Sequence, residues 1–278
     1  MNHSGVFCGK VPGVSQILRE LCFVLKTRPY RERDLIAVVF SENRGRFSAI
    51  ARNGVQSRRF GGSFNLFTCS EFELDPKTIR IAELNEDGLV QVVSAQVKHS
   101  IAALSADFEK LSGASALNEL ILRVIPPQKP APEVFKLYSN TLLAIEEQPA
   151  QNTLKLVNAF ILKITQWLGV QPILTRCLAC DKPLNEVPGN TVSAQVAQGA
   201  WVCESCRPDQ SGMLLSKDLI LDAYHSMLHP IRKIEFVADD QEHGTLLEFL
   251  EKHLHYYVPG LDRAPLATFR FLKSPLPK

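Results

Sequence analysis

Four cysteines in two CxxC pairs are the residues best suited to chemistry in this chain of 278 residues. Cys177 and Cys180 form the first pair, and Cys203 and Cys206 form the second after 22 intervening residues. Each pair directs two thiolates toward one tetrahedral ion, and a soft four-thiolate set selects zinc over harder ions. Four protein ligands leave no position for water, so we predict one structural Zn2+ per chain. A redox dithiol or an iron–sulfur cluster is the alternative, but a redox CxxC usually stands alone beside a βαβ pattern.

Clustered positive charge is the second chemical signal. Residues 1–60 hold 11 Lys and Arg against 4 Asp and Glu, whereas residues 61–150 hold 7 against 12. This asymmetry indicates a polyanionic partner for the first part of the chain. Arginine outnumbers lysine eight to one in the main basic set, which favours phosphate recognition. The residues predicted to contact nucleic acid are Lys26, Arg28, Arg31, Arg33, Arg44, Arg46, Arg52, Arg58 and Arg59.

Phenylalanines are interleaved with these basic residues. In oligonucleotide-binding barrels, charge follows the strand backbone and aromatic rings stack on bases. Most of these phenylalanines alternate with polar residues, and this pattern favours an ordinary barrel core over exposed stacking faces. The interleaved rings are Phe23, Tyr30, Phe40, Phe47, Phe60, Phe64 and Phe67.

The elements that must position the basic set have the character of short strands. Apolar or alternating segments are separated by turn signals such as Asn53-Gly54 and Asp75-Pro76, as in a small closed barrel. The predicted strands cover 21–25, 35–40, 47–51, 64–74, 78–84 and 89–97. After residue 98 apolar residues recur at helical spacing, and Asn152 or Thr153 is the predicted cap of one helix.

The predicted fold class is therefore α+β. A five-stranded barrel of the oligonucleotide-binding (OB) type forms domain 1–97, and a mainly helical domain follows over 98–278. The cysteine module is inserted into the helical domain at 174–208. No apolar run reaches the length of a bilayer span, so we predict no membrane partner and the cytoplasm as the compartment.

A search for catalytic motifs predicts that the chain is not an enzyme. There is no HExxH, no GxSxG and no P-loop sequence. His225 and His229 are spaced to share a helix face, but no third ligand stands near them. Two alternatives stay open: a zinc-dependent nucleic-acid enzyme, and an adaptor whose basic barrel binds an acidic protein.

Several segments resemble the bacterial RecO family of DNA repair proteins. The resemblance begins at Phe23 to Leu35 and continues through Phe40 to Arg46 and Ala51 to Val55. It resumes at Leu168 to Pro172, just before the first CxxC pair, and at Arg263 to Ser274, which resembles the last helix of the family. The segment from Met1 to Ser15 is an extension without a counterpart.

This resemblance implies both the architecture and the partners. The family combines an OB barrel, a helical domain and often a zinc module. Its members bind and anneal single-stranded DNA, bind double-stranded DNA, and act with RecR. They help to load the RecA filament onto DNA coated by single-strand-binding protein, and they are not enzymes. The acidic, apolar-ended tail of single-strand-binding protein is expected on the helical domain rather than on the barrel.

Overall fold

The computed structural model describes residues 17–85, 88–207 and 211–273, so the predicted extension from Met1 to Ser15 lies outside the described residues. Five strands close into a barrel in the order β1-β2-β3-β5-β4, and β4 pairs again with β1. This confirms the predicted five-stranded barrel. The strands are β1 (Leu18–Tyr30), β2 (Asp34–Ser41), β3 (Gly45–Ala51), β4 (Thr68–Leu74) and β5 (Leu89–Ser100). The predicted domain boundary after residue 97 falls near the end of β5.

One predicted strand, 78–84, is wrong: the segment is helix α1 (Pro76–Glu83). Asp75 caps it by accepting a hydrogen bond from the Lys77 backbone N–H at 2.9 Å, and Pro76 occupies the first helical position. Ile79 and Ala82, three residues apart, face the barrel interior and close one end of it. Alternating apolar residues therefore belong to a capped helix here.

The helical body begins with α2 (Phe108–Val124), α3 (Pro132–Glu147) and α4 (Thr153–Trp167). Asn152 occupies the predicted cap position of α4, but its side chain makes no capping hydrogen bond. A three-stranded sheet of β6 (Thr191–Gln195), β7 (Ala200–Val202) and β8 (Met213–Ser216) follows. The chain continues through α5 (Lys217–Leu228), α6 (Asp240–Tyr257) and α7 (Arg270–Lys273). The buried α4 contacts α2, α3, α5 and α6 and is the centre of the body.

One hydrophobic core joins the outer face of the barrel to the helical body. Phe23 and Phe40 point outward from β1 and β2, and their rings lie 5.3 and 5.5 Å from the ring of Phe135 on α3. Tyr138 packs edge-on against Phe23 at 5.1 Å. A separate apolar cluster fills the barrel interior, with Phe47 and Phe72 among its largest members. The outer face of β1 and β2 is thus covered by the helical body.

None of the described helices combines the length and the apolar character needed to cross a membrane.

Candidate functional site

The four predicted zinc ligands come together in space. Their sulfur atoms all lie within 4.8 Å of one another, and Cys180 Sγ is 3.8 Å from Cys203 Sγ. Tetrahedral zinc with Zn–S bonds of about 2.3 Å places its sulfurs about 3.8 Å apart, so the donor set fits such an ion. Among the described residues, this quartet is the one group of three or more such side chains close enough to share a metal ion.

Hydrogen bonds shift the pKa values of two thiols of this quartet in opposite directions. The Cys203 N–H donates to Cys177 Sγ at 3.3 Å. Burial opposes ionisation of Cys177, but backbone N–H groups of Cys180, Cys203 and Ala179 outweigh it and lower its pKa to about 7. Hydrogen bonds with the Cys203 and Cys180 side chains raise the pKa of Cys206 to about 12. A thiolate is the form that binds a metal, so Cys177 is the better prepared of these two ligands.

The two CxxC turns differ in backbone conformation. Asp181, directly after the first pair, has a φ of 62°, and its N–H donates to the Cys177 carbonyl at 2.9 Å. Asp adopts this left-handed region more readily than most residues. Arg207, after the second pair, has a φ of −70° and ends a short 3-10 turn. The first turn thus ends in a left-handed residue, whereas the second ends in a residue with ordinary negative φ.

The cysteine module is built into the body rather than attached to its surface. Cys177 and Cys203 are 0% and 3% exposed and belong to the same apolar cluster as α4 and α6. Trp201 of β7, two residues before Cys203, is also buried. Its indole N–H donates a hydrogen bond to the Leu174 carbonyl at 2.9 Å. Loss of the metal is therefore expected to disturb the helical body itself.

His253 on α6 joins the body to the module, a role that sequence inspection missed. Its Nε2–H donates to the Val170 carbonyl at 2.6 Å, and Tyr257 donates from its hydroxyl to the Ala197 carbonyl at 2.9 Å. Gly199 passes so close that an added Cβ would lie 3.0 Å from His253 Cε1. Burial lowers the pKa of His253, while the Val170 contact partly opposes that shift.

The remaining cysteines and histidines that drew attention do not form a second site among the described residues. Cys22 and Cys69 are buried, and burial raises the pKa of Cys69 to about 12, as expected of unreactive thiols. Cys8 lies outside the described residues. The rings of His225 and His229 are 5.8 Å apart on the exposed side of α5.

Five of the predicted DNA-contacting arginines gather at one end of the barrel, which we call the arginine end. The turn between β1 and β2 is held against the segment after β3, because Asn53 N–H donates to Asp34 Oδ1 at 2.9 Å and Val55 N–H donates to the Arg33 carbonyl at 3.1 Å. All five side chains are exposed, and none forms an ion pair within the described part of the chain. The arginine end consists of Arg31, Arg33, Arg52, Arg58 and Arg59.

Local contacts orient two of these arginines. The Arg31 guanidinium lies 5.2 Å from the ring centre of Tyr30, and the Arg59 guanidinium lies 5.6 Å from that of Phe60. Arg59 Nε also donates to Ser57 Oγ at 3.4 Å. These contacts leave the remaining guanidinium N–H groups directed to solvent, where phosphate is a suitable acceptor.

Lys26 and Arg28 lie on the outer face of β1. They pair across the ladder with Val38 and Ile36, whereas the intervening Thr27 pairs with the interior residue Ala37. Successive strand residues point to opposite faces, so the two basic side chains point away from the barrel interior. Both are exposed, and within the described residues neither has an acidic partner.

Arg44 and Arg46 lie at the opposite end of the barrel and make structural contacts. Arg44 Nε lies 3.3 Å from Glu20 Oε1, and its Nη1 lies 3.2 Å from Glu83 Oε1 on α1. Arg46 Nε donates to the Ile125 carbonyl at 3.0 Å, which ties β3 to the segment after α2. The structure does not bring these two together with the arginine end.

The interleaved phenylalanines do not offer exposed faces. Phe47, Phe60 and Phe64 fill the barrel interior. Phe23, Phe40 and Phe67 belong to the core between the barrel and the helical body. Tyr30 is the one member of that set that is not buried. Their alternation with polar residues thus reflects core packing.

Comparison with known proteins agrees with this architecture. A family model described as "Recombination protein O N terminal" matches residues 16–100, and one described as "Recombination protein O C terminal" matches residues 105–268. The DNA repair protein RecO of Syntrophus aciditrophicus is 32% identical over 185 residues, which is 66% of this chain and 67% of the relative. That of Desulforamulus reducens is 28% identical over 258 residues, 91% of this chain and 94% of the relative.

These matches cover the barrel and the helical body in the order in which the chain presents them. They confirm the resemblance noted in the sequence segments before and after the cysteine module. The chain belongs to the RecO family of DNA repair and recombination proteins.

Proposed function

We propose that this chain is a DNA-binding recombination mediator. It binds single- and double-stranded DNA, anneals complementary single strands, and with RecR helps to load RecA onto DNA coated by single-strand-binding protein. The observation that carries the DNA-binding part is the arginine end, where five exposed arginines lie on turns at one end of the barrel and none has an acidic partner among the described residues. Chromosomal DNA as the substrate places the protein with the nucleoid in the cytoplasm.

Phosphate contact explains why one surface serves both forms of DNA. Arginine pairs with phosphate oxygens in a bidentate manner, and such contacts carry no base information. We assign the phosphate contacts to the arginine end, with Lys26 and Arg28 as an outer extension of it. Arg44 and Arg46, which the sequence includes in the basic set, are assigned to holding the barrel together because of their contacts with Glu83 and Ile125.

We propose that the cysteine module holds one Zn2+ with a structural role. The four sulfurs fit a tetrahedral ion, and four thiolates leave no position at which a substrate or water would bind. This favours a binding protein over the alternative of a zinc-dependent nucleic-acid enzyme. Annealing requires no bond to be made or broken in DNA, so it suits a protein without a catalytic group.

Partner recognition belongs to the helical body in this proposal. A cleft between α3, α4 and the segment after α5 combines apolar Leu137 and Ile231 with basic Lys163, Arg232 and Lys233. An acidic peptide with an apolar end has the complementary character, which supports this cleft as the site for the tail of single-strand-binding protein. Arg232 already contacts Glu147 at 2.6 Å, so the tail has to compete with that pair.

The test of the DNA-binding proposal is a titration of the purified protein with single- and double-stranded DNA at several salt concentrations. The same reactions are scored for annealed product and for cleavage products. We expect strongly salt-dependent binding, annealing, and unchanged DNA length. Cleavage would support the enzyme alternative, and tight binding to an acidic protein without DNA binding would support the adaptor alternative.

The partner cleft has a separate test. Replacing Arg232 and Lys233 with alanine is expected to weaken binding of a tail peptide from single-strand-binding protein, measured by fluorescence anisotropy. A control pair, Lys77→Ala with Arg80→Ala on α1, removes the same charge from the other domain and should leave peptide binding unchanged. Equal losses in both variants would show general charge attraction instead of a defined cleft.

A further inference from the structure

The arginine end lies beside a cleft at the mouth of the barrel, and Arg58 contributes to the lining of that cleft. The interior-facing residues Thr27, Pro29 and Leu35 form its strand side, and the segment 54–65 forms the other side. The cavity has a volume of about 520 Å³, within the range of sites that hold small organic groups. At the opposite end of the barrel, α1 closes the interior, so this mouth is where the interior approaches solvent.

The bottom of the cleft is apolar. Phe60 and Phe64 are 3% and 7% exposed, and their rings pack edge to face at 5.5 Å. They close the barrel interior beneath the cleft, while Leu35 is half-buried and Pro29 is exposed above them. This surface excludes water from one side and offers no charge, so it suits the flat, weakly polar face of an aromatic ring system.

The rim of the cleft is polar but carries no acid. Gln56 and Asn65 are exposed, and neither side-chain amide has a hydrogen-bond partner within the described residues. An amide offers both a donor and an acceptor and can pair with the edge of any base in some orientation. Arg58 forms part of the wall, where its planar guanidinium can stack on a base or hold a phosphate.

We propose that this cleft takes one unpaired nucleobase of a single DNA strand, whose phosphates lie along the arginine end. This inference rests on the proposed DNA-binding function and adds a base-binding subsite to it. Charge complementarity favours this occupant, because Arg58 forms part of the wall of the cleft and the other members of the arginine end are exposed on neighbouring turns, where they can hold the phosphates attached to the base. An amide rim without fixed charge makes the subsite tolerant of base identity.

The subsite distinguishes single strands from duplexes. In a duplex the base edges are paired and the faces are stacked, so a base must leave the helix before it can enter, at a cost of a few kcal/mol. The phosphates of both forms reach the same arginines. Single strands therefore gain a contact that duplexes lack. The salt dependence of binding is set by the phosphates that the arginine end neutralises, and the base contact does not change it.

The experiment compares a normal single strand with a strand of equal length and charge that carries abasic sites at every position. Wild-type protein is expected to bind the normal strand about tenfold more tightly at equal salt, since stacking of one base contributes at about this level. The Gln56→Ala, Asn65→Ala double variant keeps the net charge and the stacking surface but removes the amides that pair with the base edge, so it should lose part of this difference. Its salt slope, duplex affinity and melting temperature should stay as in wild type.

Two results would overturn the proposal: equal binding of normal and abasic strands by the wild type, or a full difference retained by the double variant. The wild-type comparison needs no substitution, so misfolding of the variant cannot obscure it. Failure of the underlying DNA-binding function looks different, because the wild type would then show no salt-dependent binding of either strand.

Discussion

Replacing Arg58 and Arg59 with alanine tests the arginine end most directly. Both side chains are exposed in the short turn after Ser57, far from the cysteine quartet in sequence, and the apolar neighbour Phe60 stays in place. The substitution removes two positive charges without opening a cavity. We expect weaker binding of every DNA sequence alike, because phosphate contacts carry no base information.

The size of the effect follows from counterion release. If each of the five arginines neutralises one phosphate of a single strand, the logarithm of affinity falls with the logarithm of salt at a slope of about −3.5. Between 50 and 200 mM salt the affinity then drops about a hundredfold. Removing two arginines brings the slope to about −2.1, and the drop over the same interval to about twentyfold.

The assay is fluorescence anisotropy of a labelled single strand at four or more salt concentrations, with melting temperature and metal content recorded for each protein. The matched control is Lys77→Ala with Arg80→Ala, which removes two exposed charges from α1 at the other end of the barrel. The control should keep the wild-type slope. An unchanged slope in the Arg58, Arg59 variant, or an equal change in the control, would refute the assignment.

The remaining predictions concern the metal, pH and the domain contact. Cys203→Ser should reduce bound zinc from about one per chain to none in metal analysis, and should lower the melting temperature because Cys203 lies in the shared core. Burial lowers the pKa of His253 in the folded state below its unfolded value of about 6.5. The unfolded state therefore binds the proton first as pH falls. The stability that neutral His253 contributes is present above pH 6.5 and is lost as pH falls below it toward the folded-state pKa. Thermal unfolding between pH 8 and 5 should show this loss, and His253→Gln should reduce it. Tyr138→Phe leaves Asn118 Oδ1 buried without its donor, and should lower the free energy of unfolding in urea by about 1–3 kcal/mol.

Each of these has a control. Cys69→Ala removes a buried thiol outside the quartet and should keep the zinc. His225→Gln changes an exposed histidine and should keep the wild-type pH profile. Tyr256→Phe removes a hydroxyl from a tyrosine that is 62% exposed and should leave stability nearly unchanged. Zinc retained in Cys203→Ser, a flat wild-type pH profile, or equal effects of the two tyrosine changes would contradict the corresponding reasoning.

The cysteine quartet was predictable because its signal is local. Two residues separate the ligands within each pair, and that spacing alone directs both thiolates toward one ion. The role of each arginine was harder to predict than the metal ligands, because residues distant in sequence determine which arginines are left exposed. Arg44 contacts Glu83, and Arg46 contacts the Ile125 carbonyl, 79 residues away, so nothing near them in sequence separates them from Arg58.

Two structural elements illustrate the same limit. The segment 78–84 alternates like a strand, but capping by Asp75 and burial of Ile79 make it a helix. Phe23 and Phe40 fit a barrel interior by pattern, yet they point outward because α3 supplies a second apolar surface. Periodicity shows that a face is buried, but it does not show which partner covers it.

The outward face of β1 and β2 has a consequence for synthesis on the ribosome. The barrel strands end at Ser100, while the ring of Tyr138 and the rest of α3 up to Glu147 are translated later. At about 5–20 residues per second, this interval of about 45 residues lasts roughly two to nine seconds. During that time a nascent barrel lacks the α3 side chains that cover Phe23 and Phe40, and this apolar face is where association of incomplete chains is expected.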